Sequence, residues 1–247
     1  LSLCNDFFGP HREALLAKTR EVQEFLRADA PAAPAETAPE AKVPAAIIAH
    51  DRPVPAPPDL KKHSIEDFEL EQIFRYLNPI MLYGKHLGLK GNIERLVSER
   101  DPRAVELMER VRALQAEVVE KGLVKARGTY RFFAAQSEGN KVFLYDTPQG
   151  GAPAAVFDFP RQRGGEGRCV ADFVLPKSMG MDYVAMFVVT CGQGVLEHAA
   201  RLREEGQYLQ SHALQAVAIE SAEAFAELLH ARIRSMWGIG DPPAMTL

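Results

Sequence analysis

Cysteine is scarce in this sequence, with three in 247 residues, at positions 4, 169 and 191. They are an odd number and lie far apart, so they form no C-x-x-C pair and no disulfide framework, which fits a reducing compartment. No run of 18 apolar residues exists, so no membrane-spanning helix is expected. The opening Leu-Ser-Leu-Cys has neither an initiator Met nor the basic-then-apolar layout of a secretory leader. Excess positive charge is missing too: 29 Lys and Arg against 33 Asp and Glu give a net charge of −4. A nucleic-acid binder would normally carry a clustered basic face. These absences point to a cytoplasmic protein with no nucleic acid and no membrane among its partners.

What is present is ordinary globular material. Apolar residues make up 47% and charged residues 25%, and a chain this long can bury roughly 70% of the surface exposed when unfolded. The first segment, 10–28, reads as a helix, with Leu15, Leu16, Thr19, Val22, Phe25 and Leu26 at helical spacing. Between 29 and 59 the composition changes: eight of the 17 prolines fall in that stretch, mixed with alanine. Proline lacks a backbone donor and fixes φ, so this reads as a semi-rigid extended linker. The folded body is expected from about residue 60. The opening Leu-Ser-Leu-Cys and the ending Ala-Met-Thr-Leu247 read as cuts from a longer chain.

Helical signals open the body. Ser64 reads as an N-cap, with Leu70, Ile73, Phe74 and Leu77 as the apolar stripe and Pro79 as the stop. A second helix starts at Asp101-Pro102 and carries Leu107, Val111, Leu114 and Val118 on one face, with Gly122 placed to end it. The period then changes. Segments beginning at Tyr130, Lys141, Ala155, Val170 and Tyr183 are short, β-branched and aromatic, separated by turn residues, and read as an antiparallel meander. Two helices follow, from Gly192 to Glu205 and from Tyr208 to Trp237, the longer with Ala218, Ala222, Phe225, Leu229, Ile233 and Met236 as its stripe. Strands grouped between helices give an α+β fold, an antiparallel β meander flanked by helices.

The residues themselves carry little chemistry. Gly192-Gln-Gly194 lies between a strand and a helix, where amides can hold a phosphate. It lacks a third glycine and a βαβ setting, so a plain turn is the better account, and a free-standing Rossmann methyltransferase fails if the flanking strands are antiparallel. Glu227 and His230 share a helix face at E-x-x-H spacing, but one such pair supplies too few ligands for a metal. Glu223, in Ala222-Glu-Ala-Phe-Ala226, is either a solvated helix residue or a carboxylate that small neighbours leave open to a ligand. Asn78, before Pro79, either satisfies backbone groups at a helix end or faces a ligand.

Longer motifs say more. Cys169-Val-Ala-Asp-Phe-Val-Leu-Pro-Lys177 followed by Asp182-Tyr-Val-Ala-Met-Phe-Val-Val-Thr190 resembles the L-A-D-F-V-A-P-K and D-Y-I-G-A-F-A-V-T segments of the activation domain of cobalamin-dependent methionine synthases. Ala222-Glu-Ala-Phe-Ala-Glu227, Leu229-His230, Arg232, Arg234 and Trp237-Gly238 are similar to that family's A-E-A-F-A-E-x-L-H-x-R-x-R-x-x-W-G helix, and Tyr76-Leu-Asn-Pro79 to its Y-I-N/D segment. The resemblance covers 60–247, and 1–28 resembles the last helix of the cobalamin-binding module that precedes the domain.

The resemblance implies a reactivation module. In that family the parent enzyme carries a methyl group from 5-methyltetrahydrofolate to homocysteine through cobalamin. The activation domain binds S-adenosylmethionine and, with one electron from a flavodoxin-type donor, restores the oxidised cofactor. By the same resemblance Glu223 is the glutamate that holds S-adenosylmethionine, and Asn78 stands where members carry Asp or Asn beside it. Cobalamin would be held mainly by the upstream module of the same chain, and zinc would belong to the parent enzyme only. Two departures are notable. The acidic residue some members carry four positions before the glutamate is Ile219 here, and the family's R-x-x-x-G-Y-x-A-C-P segment is absent, so weak S-adenosylmethionine binding by these 247 residues alone is expected. The competing expectation is a non-catalytic docking domain that caps a cobalamin module and recruits an electron donor.

Overall fold

The computed structural model describes residues 53–162 and 167–242, together with Glu13, Ala14, Ala17, Arg20 and Glu21. The chain divides into two units, 1–44 and 45–247. In the first, the five described residues are helical and exposed, as expected for 10–28. The rest of that helix and linker residues 29–52 lie outside the described residues. Positions 53–59 have neither helix nor strand, and the Trp237 indole N–H donates to the Pro55 carbonyl at 2.8 Å.

The second unit is α+β, and its named strands pair antiparallel. Strand β1 is Lys62–Phe68, β2 Lys125–Glu138, β3 Lys141–Tyr145, β4 Ala155–Asp158 and β5 Asp182–Gln193. The meander holds for β2–β3–β4. The other two strands add to β2 itself: β1 and β3 pair with successive parts of one edge, and β5 runs along the other, from Lys125↔Gln193 to Ala135↔Asp182. Fourteen residues of β2 thus form the spine of the sheet.

The expected helix capped by Ser64 is not there. Ser64 lies in β1 opposite Thr129, and helix α1 spans only Leu70–Phe74. His63, Ile65 and, past a bulge, Phe68 turn toward the core while their neighbours face out. Pairing with the long β2 edge overrode the local cap signal. Val170–Phe173, read above as a strand, is a turn of 3-10 helix. The Asp172 carboxylate accepts from the Cys169 amide at 2.9 Å and takes both arms of the Arg161 guanidinium at 2.9 and 2.6 Å. Those directional bonds close the turn that a β-ladder would have opened.

The other helices follow their sequence signals. Helix α2 is Ile93–Ser98 and α3 is Pro102–Glu120, where the Asp101 carboxylate caps the amides of Arg103 and Ala104. Helix α4 is Val195–Glu204, and α5 is Tyr208–Met236. One face of the sheet packs on α5, with Phe132, Cys191, Phe225, Leu229 and Ile233 all buried between them. Gly128 permits that approach: a Cβ there would lie 3.3 Å from the Val189 side chain and 3.5 Å from the Phe225 ring. Burying a side chain such as Phe225 stabilises by about 3 kcal/mol. A smaller core of Ala135, Val142, Leu144, Cys169, Ala171 and Val174 lies toward the other end of β2.

Candidate functional site

The segment from Gln72 to His86 lies along α5 and forms a seam with it. At one end the Arg232 guanidinium donates to the Gln72 amide oxygen and sits 4.7 Å over the Phe68 ring. A groove of about 390 Å³ opens there, lined by Gln72, Arg75, Tyr76, Leu228, Arg232 and Ser235. At the other end His86 Nε2 lies 2.8 Å from Glu220 Oε1, and His212 Nε2 lies 2.8 Å from the His86 carbonyl. As the first chain runs from 72 to 86, the contacts on α5 run from 232 back to 212, so the two are antiparallel.

Between these ends Ile80–His86 forms a π-helix, an uncommon element that recurs at functional sites. Pro79 precedes its first residue, and Leu82 and Tyr83 are its buried residues. Burial pushes the Tyr83 phenol above its ordinary range, against the opposing effect of the Arg112 charge. Asn78 takes the backbone role weighed for it. Its side-chain oxygen accepts from the amides of Ile80 at 3.0 Å and Met81 at 3.2 Å, and its carbonyl accepts from Leu82 at 2.9 Å. The side-chain amide is exposed and carries donors that these bonds do not use.

Glu223 is on the exposed face of α5, between half-buried Ala222 and buried Ala224. Among the described residues it has no hydrogen-bond or ion-pair partner. It lies three residues after buried Glu220, so the two neighbour each other on the helix surface. Of the two sequence candidates, Asn78 belongs to the segment that lies along α5 and Glu223 to the exposed face of α5 itself. Ile80 on the segment and Ile219 on α5 are exposed apolar residues, at 54% and 53%.

Other candidates lie apart from it. Gly194 is a turn residue at φ +90°, in the tight approach of the β5–α4 turn to Leu123, and β5 is antiparallel to β2, so no βαβ phosphate loop exists here. Glu227 is exposed, and His230 stacks on Phe187 with ring centres 6.5 Å apart. No group of three metal-ligating side chains occurs among the described residues, and none of their helices is long and apolar enough to cross a membrane.

Sequence reasoning missed the His86–Glu220 pair. One signal was available: Glu220 falls at helical spacing from Ala216, Val217 and Ala224, all buried, so the register of α5 turned that carboxylate inward.

With the geometry described, the chain can be compared with known proteins. Residues 69–246 match the family model described as the activation domain of vitamin B12 dependent methionine synthase. The chain is 29% identical over 201 residues to a methionine synthase of Mycobacterium tuberculosis (strain ATCC 25618 / H37Rv), covering 76% of this chain and 16% of that protein. The chain thus spans about one sixth of the length of that curated relative. A crystal structure of the MetH reactivation domain bound to AdoHcy superposes with a TM-score of 0.70, over 78% of this chain and 61% of the other, at 24% identity. That likeness is one of fold.

Proposed function

Because the chain belongs to the family of vitamin B12-dependent methionine synthase activation domains, we propose that it is the reactivation module of such an enzyme and binds S-adenosylmethionine on the seam between α5 and the segment 72–86. The observation that carries this reading is Glu223: an exposed carboxylate without a protein partner among the described residues, flanked by alanines, on the helix along which the Asn78 segment lies. Its charge suits a sulfonium or ammonium cation, and its two oxygens accept from ribose hydroxyls or an ammonium group. Asn78, its oxygen engaged by Ile80 and Met81, offers its amide hydrogens to acceptors of the ligand. Further support comes from the AdoHcy held by the structurally similar reactivation domain.

When bound near Glu223 and Asn78, S-adenosylmethionine would supply a methyl group and leave as S-adenosylhomocysteine; the acceptor would be a cobalamin held mainly by an upstream module, with the one electron coming from a flavodoxin-type donor. The task of this chain is to hold the donor molecule in place and present it. Glu223 balances the ligand's positive charge, and the alanines beside it leave room for close approach. The proline- and alanine-rich composition of 29–59 suits a tether, which would keep the module at high effective concentration while other modules take their turns at the cofactor. Zinc, folate and homocysteine chemistry belongs to the parent enzyme.

The test uses the full-length parent protein that contains this chain, with its cobalamin bound. The visible spectrum of the bound cob(II)alamin is followed under a reductant, with and without S-adenosylmethionine. Conversion to the methylated form only when S-adenosylmethionine is present, with affinity weakened about 10- to 100-fold by Glu223→Gln, is the expected result for loss of a charged hydrogen-bond acceptor. Cobalamin that stays bound but never converts would instead favour a docking domain that recruits the electron donor.

A further inference from the structure

We infer that the pair formed by half-buried His86 and buried Glu220 is a positioning device that sets the placement of the Asn78 segment relative to Glu223. This inference rests on the ligand site proposed above and adds two residues to it, neither touching the ligand. Glu220 is 3% exposed, and a carboxylate removed from water needs a partner with good geometry. His86 Nε2, 2.8 Å from Glu220 Oε1, is that partner. Facing an oxygen that only accepts, the imidazole nitrogen is the donor. His212 Nε2 faces the His86 carbonyl at 2.8 Å and donates for the same reason. The last residue of the π-helix is therefore fixed to α5 twice, from positions eight residues apart on the long helix.

Apart from the Arg232–Gln72 bond at the far end of the segment, in α1, the π-helix itself meets the core through apolar side chains, Leu82 and Tyr83. Apolar burial is non-directional and allows small sliding movements, whereas hydrogen bonds weaken steeply when distance or angle is lost. The two bonds at His86 thus fix the axial position of the π-helix. Asn78 caps the other end of the same short element through Ile80 and Met81 and moves with it. Glu223 lies one helical turn from Glu220. Sliding the π-helix along α5 changes the separation of the two ligand groups without altering either one.

The test is isothermal titration with S-adenosylhomocysteine of the full-length parent protein that contains this chain, with melting temperatures recorded for every variant. The double variant His86→Leu/Glu220→Met replaces the pair by apolar side chains, an exchange that is often neutral for stability. It is expected to melt close to the wild type and to bind about tenfold more weakly, within the range seen for residues that act through others. Glu220→Gln, which keeps an acceptor for the imidazole N–H, should bind within about twofold of the wild type, below that range. A folded double variant with wild-type affinity would overturn the inference, because a purely structural pair predicts that outcome. Should the double variant fail to fold, His212→Ala decides: it removes one exposed donor, is expected to weaken binding about threefold, and an unchanged affinity overturns the inference. Glu223→Gln is titrated alongside. If it leaves affinity unchanged, or the wild type does not bind, the ligand site itself is wrong and this inference falls with it. If it weakens binding while the pair variants do not, only the positioning role is lost.

Discussion

Replacing Gly194 with alanine tests how tightly the turn ahead of α4 is built. The residue sits at φ +90°, and an alanine Cβ would lie 2.2 Å from the Leu123 carbonyl oxygen. Holding alanine in left-handed backbone costs about 1–2 kcal/mol. The clash is with main chain, not with the end of a flexible side chain, so the α3–β2 and β5–α4 connections must separate, at about 1–3 kcal/mol for overpacking. Together the two effects reach about 2–5 kcal/mol, or a fall of roughly 10 °C in melting temperature for a unit of this size. Gly206→Ala is the control: its φ is +77°, but nothing lies within 4 Å of the added Cβ. It should lose only the backbone contribution, about 1–2 kcal/mol. Urea and thermal unfolding of both variants give the comparison. Equal losses would refute the close-approach argument. A loss for Gly194→Ala confined to nucleotide-containing buffer would revive the phosphate-loop reading.

Two more measurements follow from the site and the core. Burial pushes the Cys191 thiol up to about 12, so between about pH 9 and 12 the unfolded thiol ionises while the folded one keeps its proton. The unfolded state then binds fewer protons, and stability falls with rising pH by about 1.4 kcal/mol per unit more in wild type than in Cys191→Ala; parallel slopes in denaturant titrations at pH 8 and pH 10.5 would contradict this. Asn78→Ala removes an acceptor shared by two amides and should lower stability by about 1 kcal/mol. Asn78→Asp keeps the acceptor and adds charge, so its melting temperature should stay near wild type, and an equal loss in both variants would show that the side-chain oxygen does not act as the cap.

Much of the fold was legible because its signals are local and repeated. The stripe Ala218, Phe225, Leu229 and Ile233 fixes α5 in any context, and Asp101-Pro102 marks the start of α3 by a cap that depends only on adjacent residues. The β-branched and aromatic runs of β2, β3, β4 and β5 were equally clear. Glu223 and Asn78 came from motif resemblance; Glu223 lies on the exposed face of α5, and Asn78 caps the start of the π-helix.

The sequence by itself determined the α+β class, the long helix, most of the strands and membership of the family. Tertiary structure decided three other things, each through partners distant in sequence. Lys62–Phe68 became a strand because β2, about 60 residues on, offered an open edge to a segment whose own preference was weak. Val170–Phe173 became a 3-10 turn because Arg161 reached Asp172. Glu220 became a buried partner of His86, 134 residues away, because packing α5 on the core fixed which helix face turned inward. Periodicity gives the face of a helix, but only the assembled core sets which polar groups it encloses and so which partners they must find.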